Sequence, residues 1–273
     1  YQNCAYICNM PSISIVISYY KALGDLKLIL KALNQQSKSD FEVIISEDDT
    51  SQNTKKFLNN NQLKYNFPIL HNYQSEDLGF RKNMMLNRAI LSANAEMLVF
   101  IDGDCIPHKH FVKEYIKEKE SDSILVGRRV MLGPKISANI QATESLKTLN
   151  IFSILTSDST KIKDAIYSPY LPLTTKIRGL VGCNWGINKN HLLAINGYDE
   201  DYVTAGVGED NDVEWRLELN GVTKKSMKNK AIVYHLHHER SYTKDVIFAN
   251  MDIWKAKQKT NYIQCISGIE KLD

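Results

Sequence analysis

No apolar run in this sequence of 273 residues approaches the about 18 to 20 residues of a membrane-spanning helix. Its start lacks the basic patch and apolar stretch of a signal peptide. Strong charge of one sign is missing too. The balance of 34 basic and 31 acidic residues gives a net charge of +3, which argues against the basic stripe of a nucleic-acid-binding protein. That balance leaves room for weak attraction to anionic membranes or substrates. The five cysteines, Cys4, Cys8, Cys105, Cys183 and Cys265, are odd in number and scattered, so they make a poor disulfide framework. The C-x3-C pair at Cys4 and Cys8 has no second pair spaced to complete a zinc site. There is no internal repeat and no low-complexity segment. Together these absences predict a soluble, intracellular chain, and a hydrophobic content of 43% suffices for a sizeable core.

What the chain does have is a rhythm of strands and helices. Residues 13–19 are short, β-branched and apolar at nearly every position, as in a strand buried on both faces of a parallel sheet. Leu26, Leu30 and Leu33 then recur at helical spacing within 25–34, and residues 41–45 form a second strand, which completes a βαβ unit. The same reading predicts a short helix over 54–60, a strand over 67–71, a helix over 82–93 and a strand over 97–101. Residues 134–176 have no strong strand run and are predicted to form helices and a mobile loop. Order is predicted to return at 178–182, in a helix over 213–219, at 231–234, and in a helical tail from 242 to 272. The fold class is therefore α/β, with a Rossmann-like, mostly parallel sheet flanked by helices in one large domain.

An open α/β sheet binds its ligand outside the carboxyl ends of its strands. After the first strand come Ser18, Tyr19 and Tyr20. Ser46, Glu47, Asp48 and Asp49 follow the second, and Asp102, Gly103 and Asp104 the fourth. Polar groups, mostly carboxylates, thus converge on one edge, while the glycine-rich turn of a dinucleotide site is absent. Hard divalent cations take oxygen ligands from one or two carboxylates plus substrate phosphates, and Asp102-Gly103-Asp104 fits that role or a plain solvated turn. Four carboxylates within residues 209–214 open the helix over 213–219. They serve either its macrodipole, with Asn211 or Asp212 as a cap, or a general base that accepts a proton from a substrate hydroxyl. Three of the seven histidines, His235, His237 and His238, follow the last strand, with His235 and His237 on one face. Imidazole with carboxylates suits manganese or a similar borderline ion better than calcium. Arg81, with Lys82 behind it, opens a helix and is a candidate to pair with phosphate. Asn184 and Trp185 lie between small residues, and Trp185 either stacks on a sugar or nucleobase or fills the core.

These motifs, in this order, resemble the family-two inverting glycosyltransferases of the GT-A fold, over residues 11–240. Residues 41–54 (FEVIISEDDTSQNT) are similar to that family's nucleoside-holding strand and acidic turn. The resemblance implies that Asp48 contacts uracil with Glu47 nearby. Residues 77–89 (DLGFRKNMMLNRA) are similar to the next donor-side segment, which puts Arg81 near the nucleotide. Asp102-Gly103-Asp104 matches the metal motif, in which the last aspartate usually ligates the ion. Residues 182–200 and 208–217 resemble the galactosyltransferase-type segment of bacterial polysaccharide enzymes and of the β-1,4-galactosyltransferases. By that likeness Asp210 is the base, Glu209 an acceptor or sugar contact, and His235 the later metal ligand. Where the family often has W-G-x-G-E-D, this chain reads Ala205-Gly206-Val207-Gly208-Glu209-Asp210, without the tryptophan that packs on the acceptor sugar.

The resemblance implies a metal-dependent, inverting transfer of a hexose or N-acetylhexosamine from a UDP-sugar. The acceptor would be the hydroxyl of a saccharide or lipid-linked saccharide. The donor site is expected to use Ser18, Tyr19, Tyr20, Glu47, Asp48, Arg81, Asp102 and Gly103. The catalytic pair is Asp210 and Glu209, Asn184 and Trp185 face the acceptor or sugar, and Asp104, His235 and Asp102 hold Mn2+, or Mg2+. The expected organisation is a donor half over 1–130, an acceptor and catalytic half over 131–240, and a tail over 241–273. The location is expected to be cytoplasmic, with the tail a candidate for peripheral contact at the inner face of the cell membrane. The alternatives are a sugar-phosphate nucleotidyltransferase, disfavoured by the missing basic, glycine-rich turn, and a catalytically inactive carbohydrate-binding protein.

Overall fold

The computed structural model describes residues 10–50, 52–171, 173–174, 176–206, 208–239 and 243–272. Cys4 and Cys8 lie outside these residues. The chain begins with β1 (Ile13–Tyr19), α1 (Leu23–Leu33), β2 (Phe41–Glu47), α2 (Gln52–Asn61), β3 (Ile69–Tyr73), α3 (Lys82–Ser92) and β4 (Met97–Asp102). Short elements follow: β5 (Cys105–Pro107), α4 (Phe111–Glu118), β6 (Ser123–Val126), β7 (Arg128–Met131), α5 (Pro134–Thr143) and α6 (Ile151–Leu155). The chain ends with β8 (Trp185–Asn188), α7 (Lys189–Ala194), α8 (Glu209–Leu219), β9 (Thr223–Ser226), β10 (Ile232–His235) and α9 (Lys244–Thr260).

Successive residues of a strand point to opposite faces, so a strand that is apolar throughout must be covered on both. In β1, Ile13, Ile15 and Ile17 join a core with Leu26, Ile29 and Leu33 of α1, whereas Val16 joins the opposite core with Leu86 and Ile90 of α3 and Val213 and Leu217 of α8. The result is a sheet between two helical layers. Seven strands run in the order β3-β2-β1-β4-β8-β6-β9, with β8 antiparallel to both of its neighbours. The chain moves outward from β1 to β3 on one side and crosses to β4 on the other, so the topological switch lies between β1 and β4. Their register pairs Ser18 with Asp102, and β1 pairs Tyr19 with Glu47.

A second sheet, β5-β10-β7, is built by the turn after β4 and the last strand. Its register sets Cys105 opposite His235, which brings the Asp102–Asp104 turn to a histidine more than a hundred residues later. Two sequence expectations change here. Residues 178–182 form no strand, and the regular segment is β8 beyond them. The acids of 209–214 lie inside α8 instead of ahead of it, and Gly208, with φ of 114°, occupies the cap position. That φ belongs to the left-handed half of the map, which favours glycine. Asp212 is no cap: it pairs with Arg216 inside the fold.

Helix α9 leans on the body through polar contacts. Lys257 bonds Asp199 and Asp201, and Asn250 donates to the Thr204 carbonyl. No helix among the described residues is long and apolar enough to cross a membrane.

Candidate active site

The cleft is built where β1, β2 and β4 end. The Gly103 N–H donates to the Ser18 carbonyl at 2.7 Å, and the Asp48 N–H donates to the Tyr19 carbonyl at 2.9 Å, so the three turns are laced together. A cavity of about 460 Å³ opens beside β1 and β2, lined by Tyr19, Lys21, Glu47, Asp49, Asn53 and Thr54 among others. Glu47 is fully buried and accepts from Thr54 Oγ1 at 2.7 Å, with His71 Nε2 at 2.6 Å, so its carboxylate secures the cavity wall. Asp48 is also drawn into the frame. Both its oxygens accept the Arg81 N–H, at 3.1 and 3.0 Å, and one accepts from Gln74, which ties the segment before α3 to β2. Asp49 Oδ2, in contrast, is buried with no hydrogen-bond partner. Sequence reasoning named Asp49 only as part of the acidic turn. Tyr20 is exposed beside the Lys21 ammonium, 4.7 Å from its ring centre. The Arg81 guanidinium bonds the Phe80 carbonyl at 2.8 Å.

Across Asp102 lies a second group of charges. Lys82, in the first turn of α3, reaches Asp102 at 3.4 Å and Glu209 at 2.9 Å, and so clamps β4 to α8. Its helix is fixed by two buried asparagines: Asn83 donates to the Asp199 carbonyl at 2.7 Å and Asn87 to the Tyr198 carbonyl at 2.9 Å. Burial alone would lower the Lys82 pKa, but Asp102, Glu209 and Asp210 more than offset it and hold it well above the usual lysine value. Asp210 lies with Ser18, Lys82, Asp102 and Gly182 around one small void. Its Oδ2 accepts the Gly182 N–H at 2.7 Å. A Cβ on Gly182 would stand 2.3 Å from Asp210 Oδ1, so only glycine allows this approach. Burial pushes the Asp210 pKa up to about 6, Lys82 pulls against that shift, and Glu209 and Asp102 add to it. A carboxylate near its pKa at neutral pH suits a general base. Of the remaining α8 acids, Asp212 is bound to Arg216 at 2.6 Å and Glu214 to Lys224 at 2.7 Å.

On the other side of Gly103, ligand atoms of Asp104, Cys105 and His235 lie within 4.8 Å of one another and form a group suited to a divalent metal. His235 Nε2 is 3.4 Å from Asp104 Oδ2, and His238 Nε2 is 2.9 Å from the same oxygen. Burial raises the Asp104 pKa, yet the His238 hydrogen bond and the His235 imidazole reverse that and hold it below the usual value. The bond to Asp104 lifts His238 to about 9, whereas burial lowers His235. His235 Nδ1 is buried without a partner, so the fold does not use that nitrogen. Asp104 and the neutral His235 imidazole make a donor pair that fits a borderline cation, while His238 holds Asp104 from the rim. Cys105 was not foreseen here. Burial pushes its thiol well up, and it donates to Asp104 Oδ1 at 3.2 Å as a protonated group, so it steers the carboxylate.

Asn184 and Trp185 correct the expectation of a sugar contact. Both are fully buried. Trp185 stacks on Phe100 with ring centres 4.6 Å apart. Asn184 donates to the Arg128 and Ala231 carbonyls at 2.7 and 2.8 Å and accepts from Tyr115 Oη at 2.7 Å. Asn184 ties the segment before β8 to β7 and to the start of β10, and Trp185 fills the core of the large sheet.

A family model described as glycosyl transferase family 2 matches residues 14–193, and one described as the N-terminal domain of galactosyltransferase matches residues 166–239. Chondroitin synthase of Escherichia coli is 24% identical over 243 residues, which is 83% of this chain and 35% of that protein. The uncharacterized glycosyltransferase YfnE of Bacillus subtilis is 22% identical over 272 residues, covering 87% of this chain and 68% of its own length. Among solved structures, the mannosyltransferase PcManGT from Pyrobaculum calidifontis, in complex with GDP-Man and Mn2+, aligns with a TM-score of 0.62 at 14% identity. It covers 93% of this chain and 65% of its own. TarS residues 1–349 of S. aureus, in complex with UDP-GlcNAc, align with a TM-score of 0.60 at 16% identity, over 90% of this chain and 66% of that one. The chain therefore spans only part of these relatives, and the fold it shares with the solved ones is GT-A.

Proposed function

The chain belongs to glycosyl transferase family 2, and from that membership we propose that it moves a hexose or N-acetylhexosamine from a UDP-sugar to an acceptor hydroxyl with inversion. The observation that carries the reading is the pair of differently equipped carboxylate groups on either side of Gly103. Asp210 takes the proton of the acceptor hydroxyl. The acceptor oxygen then bonds to the anomeric carbon from the face opposite the diphosphate, as the bond from that carbon to the leaving phosphate oxygen breaks. A divalent cation, Mn2+ by preference and Mg2+ as a substitute, would be held by Asp104 and His235 and would supply positive charge for the departing diphosphate. Lys82 keeps Asp102 and Glu209 compensated so that Asp210 is the carboxylate left to act.

The UDP donor is favoured by the acidic turn after β2 and by the TarS complex with UDP-GlcNAc, while the PcManGT complex with GDP-Man makes the base an outcome of the test. Residues 1–130 serve the donor and 131–240 the acceptor and the base. Likeness to a chondroitin synthase favours a polysaccharide or glycoconjugate product, with a saccharide or lipid-linked saccharide as acceptor. In a cytoplasmic enzyme, the outer face of α9, with Phe248 exposed, would make any peripheral contact with the inner face of the membrane. Binding of UDP-galactose, UDP-N-acetylgalactosamine, UDP-N-acetylglucosamine and GDP-mannose, each with and without Mn2+, tests the donor reading. A UDP-sugar should bind tightest and only with metal. Metal-independent binding, or preference for GDP-mannose, would overturn it.

A further inference from the structure

Near the candidate metal group stands a cation, Arg129, that the reaction described above does not use. On β7, Arg129 and Met131 point to one face and Arg128 and Val130 to the other. The register with β10 sets Arg129 beside Val233 and Met131 beside His235, and β5 sets Cys105 opposite His235. Residues paired across strands share a face. Arg129 therefore stands on the same face as His235 and Cys105, about 7 Å, or two residues, along the strand from the histidine. Its Nη1 lies 3.3 Å from Cys183 Sγ, next in the chain to the glycine that holds Asp210, so the guanidinium is tethered between the two ends of the cleft.

What it lacks is an anion. Among the described residues no carboxylate lies within ion-pairing distance of Arg129, and its Nε is buried with no hydrogen-bond partner. Arg216, which is fully buried, is treated very differently from the partly buried Arg129, with Asp212 at 2.6 Å and the Ile195 and Gly197 carbonyls at 2.6 and 2.9 Å. Burying a cation without a counter-charge is costly, so a site that retains one is arranged for an anion that arrives. Arginine's planar fork suits the adjacent oxygens of a phosphate.

We propose that Arg129 binds the diphosphate of the nucleotide donor and stays bonded to it as the sugar leaves. The assignment rests on the donor reading above. It gives the leaving group a second positive partner, fixed in the protein and independent of the metal.

The test compares UDP with uridine by calorimetry in the presence of Mn2+, for the wild type, Arg129→Gln and Arg129→Lys. R129Q should weaken UDP binding about 10- to 100-fold, the range for losing a hydrogen bond to a charged group, and leave uridine unchanged. R129K should recover part of the loss, because it restores the charge without the fork. If R129Q does not fold, as judged by thermal melting, R129K alone should still show a loss confined to UDP. Equal changes for UDP and uridine, or none for either, would overturn the assignment. Wild-type protein that bound neither UDP nor GDP would overturn the donor reading itself, and Arg129's role with it.

Discussion

Asp102 and Asp104 stand one glycine apart at the end of β4 and keep different company. Asp102 faces a lysine, with Glu209 and Asp210 beyond it, whereas Asp104 faces two imidazoles and a thiol. Lys82, held well above its usual pKa, stays charged beside Asp210, whose own pKa burial raises to about 6. His235, whose pKa burial lowers, stands as a neutral imidazole beside Asp104, a pairing that suits a metal ion. Under the proposed reaction, the same residue type in one turn would wall a proton-transfer site on one side and ligate a cation on the other.

Replacing Asp210 with Asn should have the largest effect. Transfer should fall by about two to four orders of magnitude, with donor affinity nearly unchanged, as read from initial rates beside calorimetry. Comparable turnover in D210N would break the division of labour.

The second effect is in pH. Asp210 acts as a base only when deprotonated, so the wild-type rate should fall as pH drops through about 6. Lys82→Met removes the charge that favours the carboxylate form, which raises the Asp210 pKa and moves this limb to higher pH. The rate at pH 7 should drop by roughly three- to tenfold and recover at pH 8. An unmoved limb would show that Lys82 does not govern Asp210.

A third variant isolates the acid that belongs to neither end. Asp212→Asn leaves the buried Arg216 short of its partner and should cost about 3–5 kcal/mol of stability in denaturant melts, while the folded fraction keeps its rate. Asn184→Ala should be smallest in activity: a stability loss of about 1–3 kcal/mol and an unchanged KM for donor and acceptor, because its three bonds join backbone and Tyr115.

The first hundred residues are written plainly in the sequence. Strands such as Ile13–Tyr19 and Phe41–Glu47 are buried on both faces and read as short, mostly apolar and β-branched runs, and the helix between them carries an apolar side. Because ligand sites of such sheets collect at strand ends, the convergence of Ser18, Asp102 and Asp210 followed from chain order and resemblance. The second half was harder to read, for physical reasons. Strands β5 to β10 are three or four residues long, and β9, Thr223–Ser226, is polar throughout at a sheet edge. Trp185 sits among small residues whether it lines a site or fills a core, and only the stacking on Phe100 decides. Lys82 was seen merely as the residue behind Arg81. The carboxylates crowded at the start of α8 were the available signal that a cation lies opposite Glu209 and Asp210.

Manganese binding in the presence of UDP, followed by electron paramagnetic resonance for the wild type, D104N and D210N, tests most directly whether the two sides of Gly103 do separate work. D104N should lose the bound signal and D210N should keep it at wild-type affinity. Loss in both variants alike, or retention in both, would contradict the separation.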